Sequence, residues 1–234
     1  MKVTLLVMTW NEIEGMKAIM PRIRNDWVDQ IIIVDGGSTD GTVEWAKQAG
    51  YHVYIQKKAG FRHAYEEILP SVEGDVVITF SPDGNSIPEL IPDLLEKMKE
   101  GFDMVIVSRY LGDAKSADDD FLTGFGNWFF TGLANLLHGG NYTDAMVIYR
   151  AYKKQLIYDL ELCDDRWYNV PEKLFFCKVS WEPLLSVRAA RRKLKISEIP
   201  GDEPPRIGGE RKLRIWQWGA VFLYQFIRDF LVWR

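Results

Sequence analysis

Ser81, Asp83 and Asn85 are spaced by two, so in an extended stretch their side chains point the same way. A hydroxyl, a carboxylate and an amide are hard oxygen donors, a set that suits Mg²⁺ or Mn²⁺ bridging a diphosphate. Such an ion would neutralise charge on a leaving phosphate. The plain alternative for this stretch is an Asp-Gly turn with no metal. Two more polar motifs precede it, Thr9-Trp10-Asn11-Glu12 and Asp35-Gly36-Gly37-Ser38-Thr39-Asp40-Gly41-Thr42. A carboxylate at Asp35 can accept hydrogen bonds from a base N–H or a ribose hydroxyl. Glu12, one turn into the first helix, can reach the same place. Each has a structural alternative: Asp35 as a turn former before two glycines, Glu12 as a carboxylate at a helix start. Arg109, Arg206 and Lys212 can bind phosphate oxygens, or can be solvated charges.

These motifs need elements to bring them together. Each ends an apolar β-type run: Val3 to Met8, Ile31 to Val34, and Val76 to Phe80. Polar groups at the carboxyl ends of strands in an open α/β sheet converge on one crevice. There the first two motifs suit a nucleoside and the third a metal-bound diphosphate, which together make a nucleotide-sugar site. Helical spacing after the first run, a strand near His52 to Gln56, helices at Phe61–Leu69 and Pro88–Glu100, and a strand at Met104–Val107 continue the alternation. This predicts an α/β fold with a mostly parallel sheet flanked by helices. The second half reads differently. Asp118-Asp119-Asp120 leads into a helix at Phe121–Leu137, Val147–Tyr149 and Leu184–Val187 read as short strands, and Gly201–Gly209 as a loop. One domain is expected over 1–212, with 1–110 holding the nucleotide and 111–212 the acceptor.

Composition narrows the class. The chain has 234 residues, is 47% apolar and carries a net charge of −4, enough for a core and no reason to expect nucleic acid. Arg188 to Arg214 nevertheless holds nine Lys/Arg against four Asp/Glu, as suits a phosphate or a lipid headgroup, or a solvated surface. Cys163 and Cys177 lack metal-ligand spacing, and no signal peptide is visible, so a cytoplasmic location with reduced thiols is expected. Residues 213–234 are rich in Trp, Phe, Leu, Ile and Val. The polar positions Arg214, Gln217, Gln225 and Arg228 form a narrow stripe. The segment is short for a spanning helix and fits an amphipathic helix lying at a membrane interface, with Trp216, Phe222, Phe226, Phe230 and Trp233 on its apolar face. A core helix or an oligomer contact is the alternative.

Six segments in order resemble family-2 glycosyltransferases of the GT-A type, closest to the polyprenyl-phosphate, dolichol-phosphate mannose synthase-like branch. Thr9-Trp10-Asn11-Glu12 resembles the PTYNE start, with Met8 where Pro is usual. Ile33 to Thr42 resembles VVDDGSTDGT, with Gly36 replacing the second Asp, and Ser81 to Glu89 resembles DGDGQHPPE. Ser108-Arg109-Tyr110 matches SRY, Thr143 to Tyr152 resembles SDxxxxFRxY, and Glu198-Ile199-Pro200 with Arg206 to Leu213 resembles EIP…RxxGESKL. The resemblance implies a metal-dependent inverting transfer from a nucleotide-diphosphate sugar, with Mg²⁺ or Mn²⁺ at Asp83, Asn85 and Ser81. It implies nucleotide contacts from Thr9, Asn11, Glu12, Asp35, Gly37, Pro82 and Asp83, and catalytic roles for Asp144, Arg109, Arg206 and Lys212. A polyprenyl phosphate acceptor at the inner membrane face, reached by peripheral contact and with an oligomer open, follows from the same branch. There Asp144 would orient an arginine, since an anionic acceptor needs no base. Ser81 stands where the family has a second carboxylate, and three acids at Asp118–Asp120 stand where the branch has an Arg. These departures keep three other readings in play: a soluble or glycan hydroxyl acceptor, a nucleotide-sugar binding protein without catalysis, and, last, a nucleotidyltransferase.

Overall fold

Val3, Leu5 and Val7 face one side of the first strand and Leu6 and Met8 the other, and all are buried. Burial on both faces is the mark of an interior strand in a sheet covered by helices. The structure is a computed structural model and describes residues 1–208 and 214–233. Its sheet comprises β1 (Val3–Thr9), β2 (Gln30–Asp35), β3 (His52–Ile55), β4 (Val76–Phe80), β5 (Met104–Ser108), β6 (Arg150–Lys153) and β7 (Ile196–Pro200). The order is β3-β2-β1-β4-β6-β5-β7, parallel except for β6, which runs antiparallel to β4 and β5. Thr9 pairs with Asp35, and Val7 with Phe80, so the three motifs leave the sheet side by side.

The helices are α1 (Ile13–Ile19), α2 (Thr42–Gln48), α3 (Phe61–Ile68), α4 (Ile91–Lys99), α5 (Phe121–His138), α6 (Gln155–Asp159), α7 (Asn169–Leu174), α8 (Glu182–Arg191) and α9 (Ile215–Leu231). One core layer packs Met16 and Ile19 of α1 and Ile91, Leu94 and Met98 of α4 on the sheet; the other packs α3, α5, α8 and α9. Gly15 lets α1 press on the third motif, since a Cβ there would sit 2.4 Å from the Pro82 carbonyl oxygen.

Two expected strands are corrected. The strand placed at Val147–Tyr149 begins instead at Arg150, and Leu184–Val187 belongs to α8. Every residue from Glu182 to Ala190 is buried, so α8 has no polar face to give a helical period. A short apolar run without one reads equally as strand or helix. Asp120 caps α5, accepting from the Thr123 amide at 2.8 Å while Thr123 Oγ1 accepts from the Asp120 amide at 3.0 Å.

The C-terminal helix joins the core. Val221, Phe222, Gln225, Phe226 and Asp229 of α9 are buried, and Phe130 of α5 meets Phe222 and Phe226 edge-on at 6.1 and 5.7 Å. Asp229 pairs with Arg188 of α8 at 2.7 Å, both fully buried. Of the expected outward face, Phe222, Phe226 and Trp233 point in, whereas Trp216 remains 79% exposed. Gln225, expected on the polar stripe, is also buried. Among the described residues no helix is long and apolar enough to cross a membrane.

Candidate active site

One crevice of about 760 Å³ opens over the carboxyl ends of β1, β2 and β4 and continues toward α5 and α9. Thr9, Glu12, Ser81, Asp83, Asn85, Arg109 and Arg206 line it. Asn11, Asp35, Gly37, Pro82 and Asp144 do not, and Lys212 lies outside the described residues.

The residues off the crevice have work in the scaffold. Asp35 is fully buried and accepts from the Gly37 and Ser38 amides, each at 2.8 Å, and from the Ser38 hydroxyl. Its turn-forming role is therefore the one its geometry displays. Asn11 ties the first motif to the second: its amide donates to Ser38 Oγ and its Oδ1 accepts from the Thr39 amide, both at 2.7 Å. Pro82 supplies the carbonyl against which Gly15 packs. Thr9 has no such duty. Its hydroxyl is buried at the crevice wall without a partner among the described residues.

At the end of β4, Asp83 Oδ1 accepts from the Asn85 amide at 3.0 Å. The Arg206 guanidinium bridges Asp83 Oδ2 at 2.9 Å and Glu12 Oε1 at 3.2 Å. Two carboxylates that gather one cation here are chemically suited to another, and Ser81 and Asn85 add oxygen donors beside them. Among the described residues no three His, Cys, Asp or Glu side chains cluster as a metal cage. The residues present fit a hard cation that shares its coordination with a bound diphosphate. The loop carrying Arg206 is pinned above them, with Asn85 Nδ2 donating to the Pro204 carbonyl and the Ile207 amide to the Asp83 carbonyl, both at 2.7 Å.

Across the crevice, Arg109 projects from the end of β5. Asp144 grips its fork through Nε at 2.6 Å and Nη2 at 3.1 Å. Nη1 also reaches Glu203 at 3.2 Å and Asp119 at 3.5 Å. Burial opposes the charge of Arg109, but these carboxylates outweigh it and hold the guanidinium well above its ordinary range. Burial pushes the Glu203 carboxyl up from its usual value, against the pull of Arg109. Asp119 and Glu203 are crevice residues beyond those read from the motifs; the run of acids at 118–120 stands out in the sequence, but nothing in it points Asp119 at Arg109, and Glu203 is 94 residues away.

Comparison with known proteins places the chain. Residues 4–160 match the family described as Glycosyl transferase family 2. The chain is similar to glycosyltransferase AglJ of Haloferax volcanii, 27% identical over 208 residues, covering 88% of this chain but only 64% of that protein. It is 28% identical to a dolichyl-phosphate hexose transferase of the same organism, covering 91% of this chain and 87% of the relative. To an undecaprenyl-phosphate mannosyltransferase of Micrococcus luteus it is 26% identical, covering 97% and 98%. Glucosyl-3-phosphoglycerate synthase from Mycobacterium tuberculosis, solved with Mn²⁺, UDP and phosphoglyceric acid, superposes with a TM-score of 0.68 at 19% identity, covering 98% of this chain and 78% of that one. That likeness establishes the GT-A fold.

Proposed function

The chain belongs to glycosyl transferase family 2, and on that premise we propose that it transfers a hexose, with inversion, from a nucleoside-diphosphate sugar to a polyprenyl phosphate at a membrane surface. One observation carries the reading. A single crevice joins the carboxylates of Glu12 and Asp83 to Arg109 and then runs on between Leu122 and Phe130 of α5 and Trp218 and Phe222 of α9. Donor phosphates, an anionic acceptor head and an apolar tail find matching surfaces in that sequence. The names of the Haloferax and Micrococcus relatives carry the same acceptor class.

Asp83, with Ser81 and Asn85, would hold Mg²⁺ or Mn²⁺, which when bound supplies neutralisation of the leaving diphosphate. Arg206, already between Glu12 and Asp83, would turn its guanidinium to the donor phosphates. Arg109 would orient the acceptor phosphate, and Asp144 holds the Arg109 fork in place without touching the crevice. A phosphate acceptor is already anionic, so no base is required. Outside the crevice, α5 exposes Phe121 (91%) and Trp128 (68%), and α9 exposes Trp216 and Leu231, apolar side chains suited to headgroups.

A second reading has its own support. Asp119 and Glu203 already compete for Arg109, and burial raises the affinity of Glu203 for a proton. Such a carboxyl is suited to deprotonate an acceptor hydroxyl. Release of nucleoside diphosphate from UDP-, GDP-, CDP- and dTDP-sugars, with Mn²⁺ and either polyprenyl phosphate vesicles or soluble glycans, separates the two. The expected result is release driven by the vesicles and abolished by Asp83→Ala. Full turnover in excess chelator would refute the metal role, and release only with glycans would favour the hydroxyl acceptor.

A further inference from the structure

Resting on the donor reading above, we propose that Gln56 reads the nucleotide base and sets which base the donor carries. The strand ends lay out the donor. The carboxylates that gather a cation, Asp83 and Glu12, belong to the ends of β4 and β1. Adjacent strands lie about 4.8 Å apart, so the end of β3 is three strands, roughly 14 Å, from that of β4. That span is comparable to an extended nucleoside diphosphate. With its phosphates over β4, its base falls over the ends of β2 and β3.

Neither motif carboxylate meets it there. Asp35 at the end of β2 is fully buried, and both of its oxygens are taken by Gly37 and Ser38. Gly36, where the resembled motif has a second Asp, brings only backbone to the crevice. A Cβ on it would lie 3.1 Å from Trp10 Cβ and Cγ, so the indole stem already covers that point. Glu12 is held at the diphosphate end by Arg206. Beyond Gly36 the wall is Gln56 followed by the small or apolar Ala59, Gly60 and Phe61. Gln56 is fixed at its backbone, donating its amide to the Asp35 carbonyl at 2.9 Å. It is half-buried, and its side-chain amide has no hydrogen-bond partner among the described residues.

A primary amide offers one acceptor and two donors. It pairs with an edge that presents N–H beside C=O, as in uracil, or, turned over, with an edge that presents a ring nitrogen beside NH₂, as in cytosine. A carboxylate only accepts. Against either edge it keeps one bond and sets its second oxygen against the uracil carbonyl or the cytosine ring nitrogen; the edge it fits presents two N–H groups side by side, as in guanine. Replacing Gln56 by Glu converts a reader of mixed donor–acceptor edges into a reader of a donor–donor edge.

The test is calorimetry of UDP, CDP, GDP and ADP with Mn²⁺ on the full chain, for wild type, Gln56→Ala and Gln56→Glu. Gln56→Ala should weaken the best-bound nucleotide at least fivefold. Gln56→Glu should raise the GDP-to-UDP affinity ratio about tenfold. The ratio is internal to each variant, so partial misfolding cannot mimic it. A wild type that binds nucleoside diphosphates while neither substitution moves affinity or ratio overturns the role of Gln56 and spares the donor reading. A wild type that binds none of them overturns both.

Discussion

The two ends of the crevice are built by different means. At the end proposed for the donor, polar side chains at strand ends and in the loops that follow bond to nearby backbone: Asp35 to Gly37 and Ser38, Asn11 to Thr39, and Asp40 to Thr42 and Ile13. The end proposed for the acceptor rests on charges drawn out of water. Arg150 is fully buried, donating to Ser186 Oγ at 2.8 Å and to the Ala145 carbonyl at 3.2 Å. Arg188 and Asp229 pair at 2.7 Å with no exposure, and Arg109 hangs on Asp144. Local hydrogen bonds lose little when one member fails. A buried charge that loses its partner has nowhere to go. The donor end should therefore tolerate substitution that the acceptor end does not.

The largest expected effect tests that contrast directly. Asp229→Ala strands the Arg188 guanidinium between α8 and α9 and should cost about 3–5 kcal/mol in urea unfolding. Asp35→Ala, which removes hydrogen bonds of the second motif's turn, should cost about 1–3 kcal/mol. Replacing both Arg188 and Asp229 by apolar residues of similar volume should recover most of the loss. Equal costs for the two single variants would dissolve the distinction between the ends.

The same contrast explains what could be read in advance. Val76–Phe80 was legible to the residue because a buried parallel strand is a continuous apolar run bounded by turn signals. The convergence of Thr9, Glu12, Ser81, Asp83 and Asn85 followed from strand ends alone. For Asp35 the sequence left a choice: a carboxylate at a strand end can face a ligand or its own turn, and the fold shows its Oδ1 accepting from the Gly37 and Ser38 amides. The role proposed for Gln56, which follows β3 as Asp35 ends β2, has no such signal, because an amide without a motif around it carries none. In the second half the failures share a cause. Helix α8 is buried all round and hides its period, and the buried Asp229 looks in sequence like a surface acid. Pairings such as Arg188 with Asp229, 41 residues apart, leave no local trace.

A smaller effect concerns the outer faces of α5 and α9. Deleting α9 would remove Val221, Phe222 and Phe226 from the core, so truncation cannot isolate membrane binding. Trp216→Ser with Leu231→Ser, or Phe121→Ser with Trp128→Ser, alters only exposed side chains. Each pair should reduce co-sedimentation with anionic liposomes several-fold at low salt, since buried apolar area contributes about 25 cal/mol per Å². Nucleotide affinity should not change. Binding that survives both pairs would leave these faces without a role at the membrane and weaken the lipid-acceptor reading.

The smallest effect isolates the acceptor end by pH. His138 closes α5 with its Nε2 3.1 Å from the Phe226 carbonyl of α9, while its buried Nδ1 has no partner among the described residues. The neutral ring, donating from Nε2, satisfies this site; a protonated ring would add a donor at Nδ1 with no acceptor. Burial pushes the pKa below the ordinary 6.5, opposed by the Phe226 carbonyl and Asp229 and aided by Arg191. The folded state thus binds the proton less readily than the unfolded chain. The resulting stability is present above about pH 6.5 and is lost as pH falls toward the depressed folded value, at no more than about 1.4 kcal/mol per unit. The loss falls on the contact between α5 and α9, so amides of α9 should exchange faster at pH 5.5 than at 7.5, after correction for intrinsic rates, while those of β1 hold. His138→Leu should remove the difference. If β1 loosens in step with α9, the two ends unfold as one unit and differ only in how they are built.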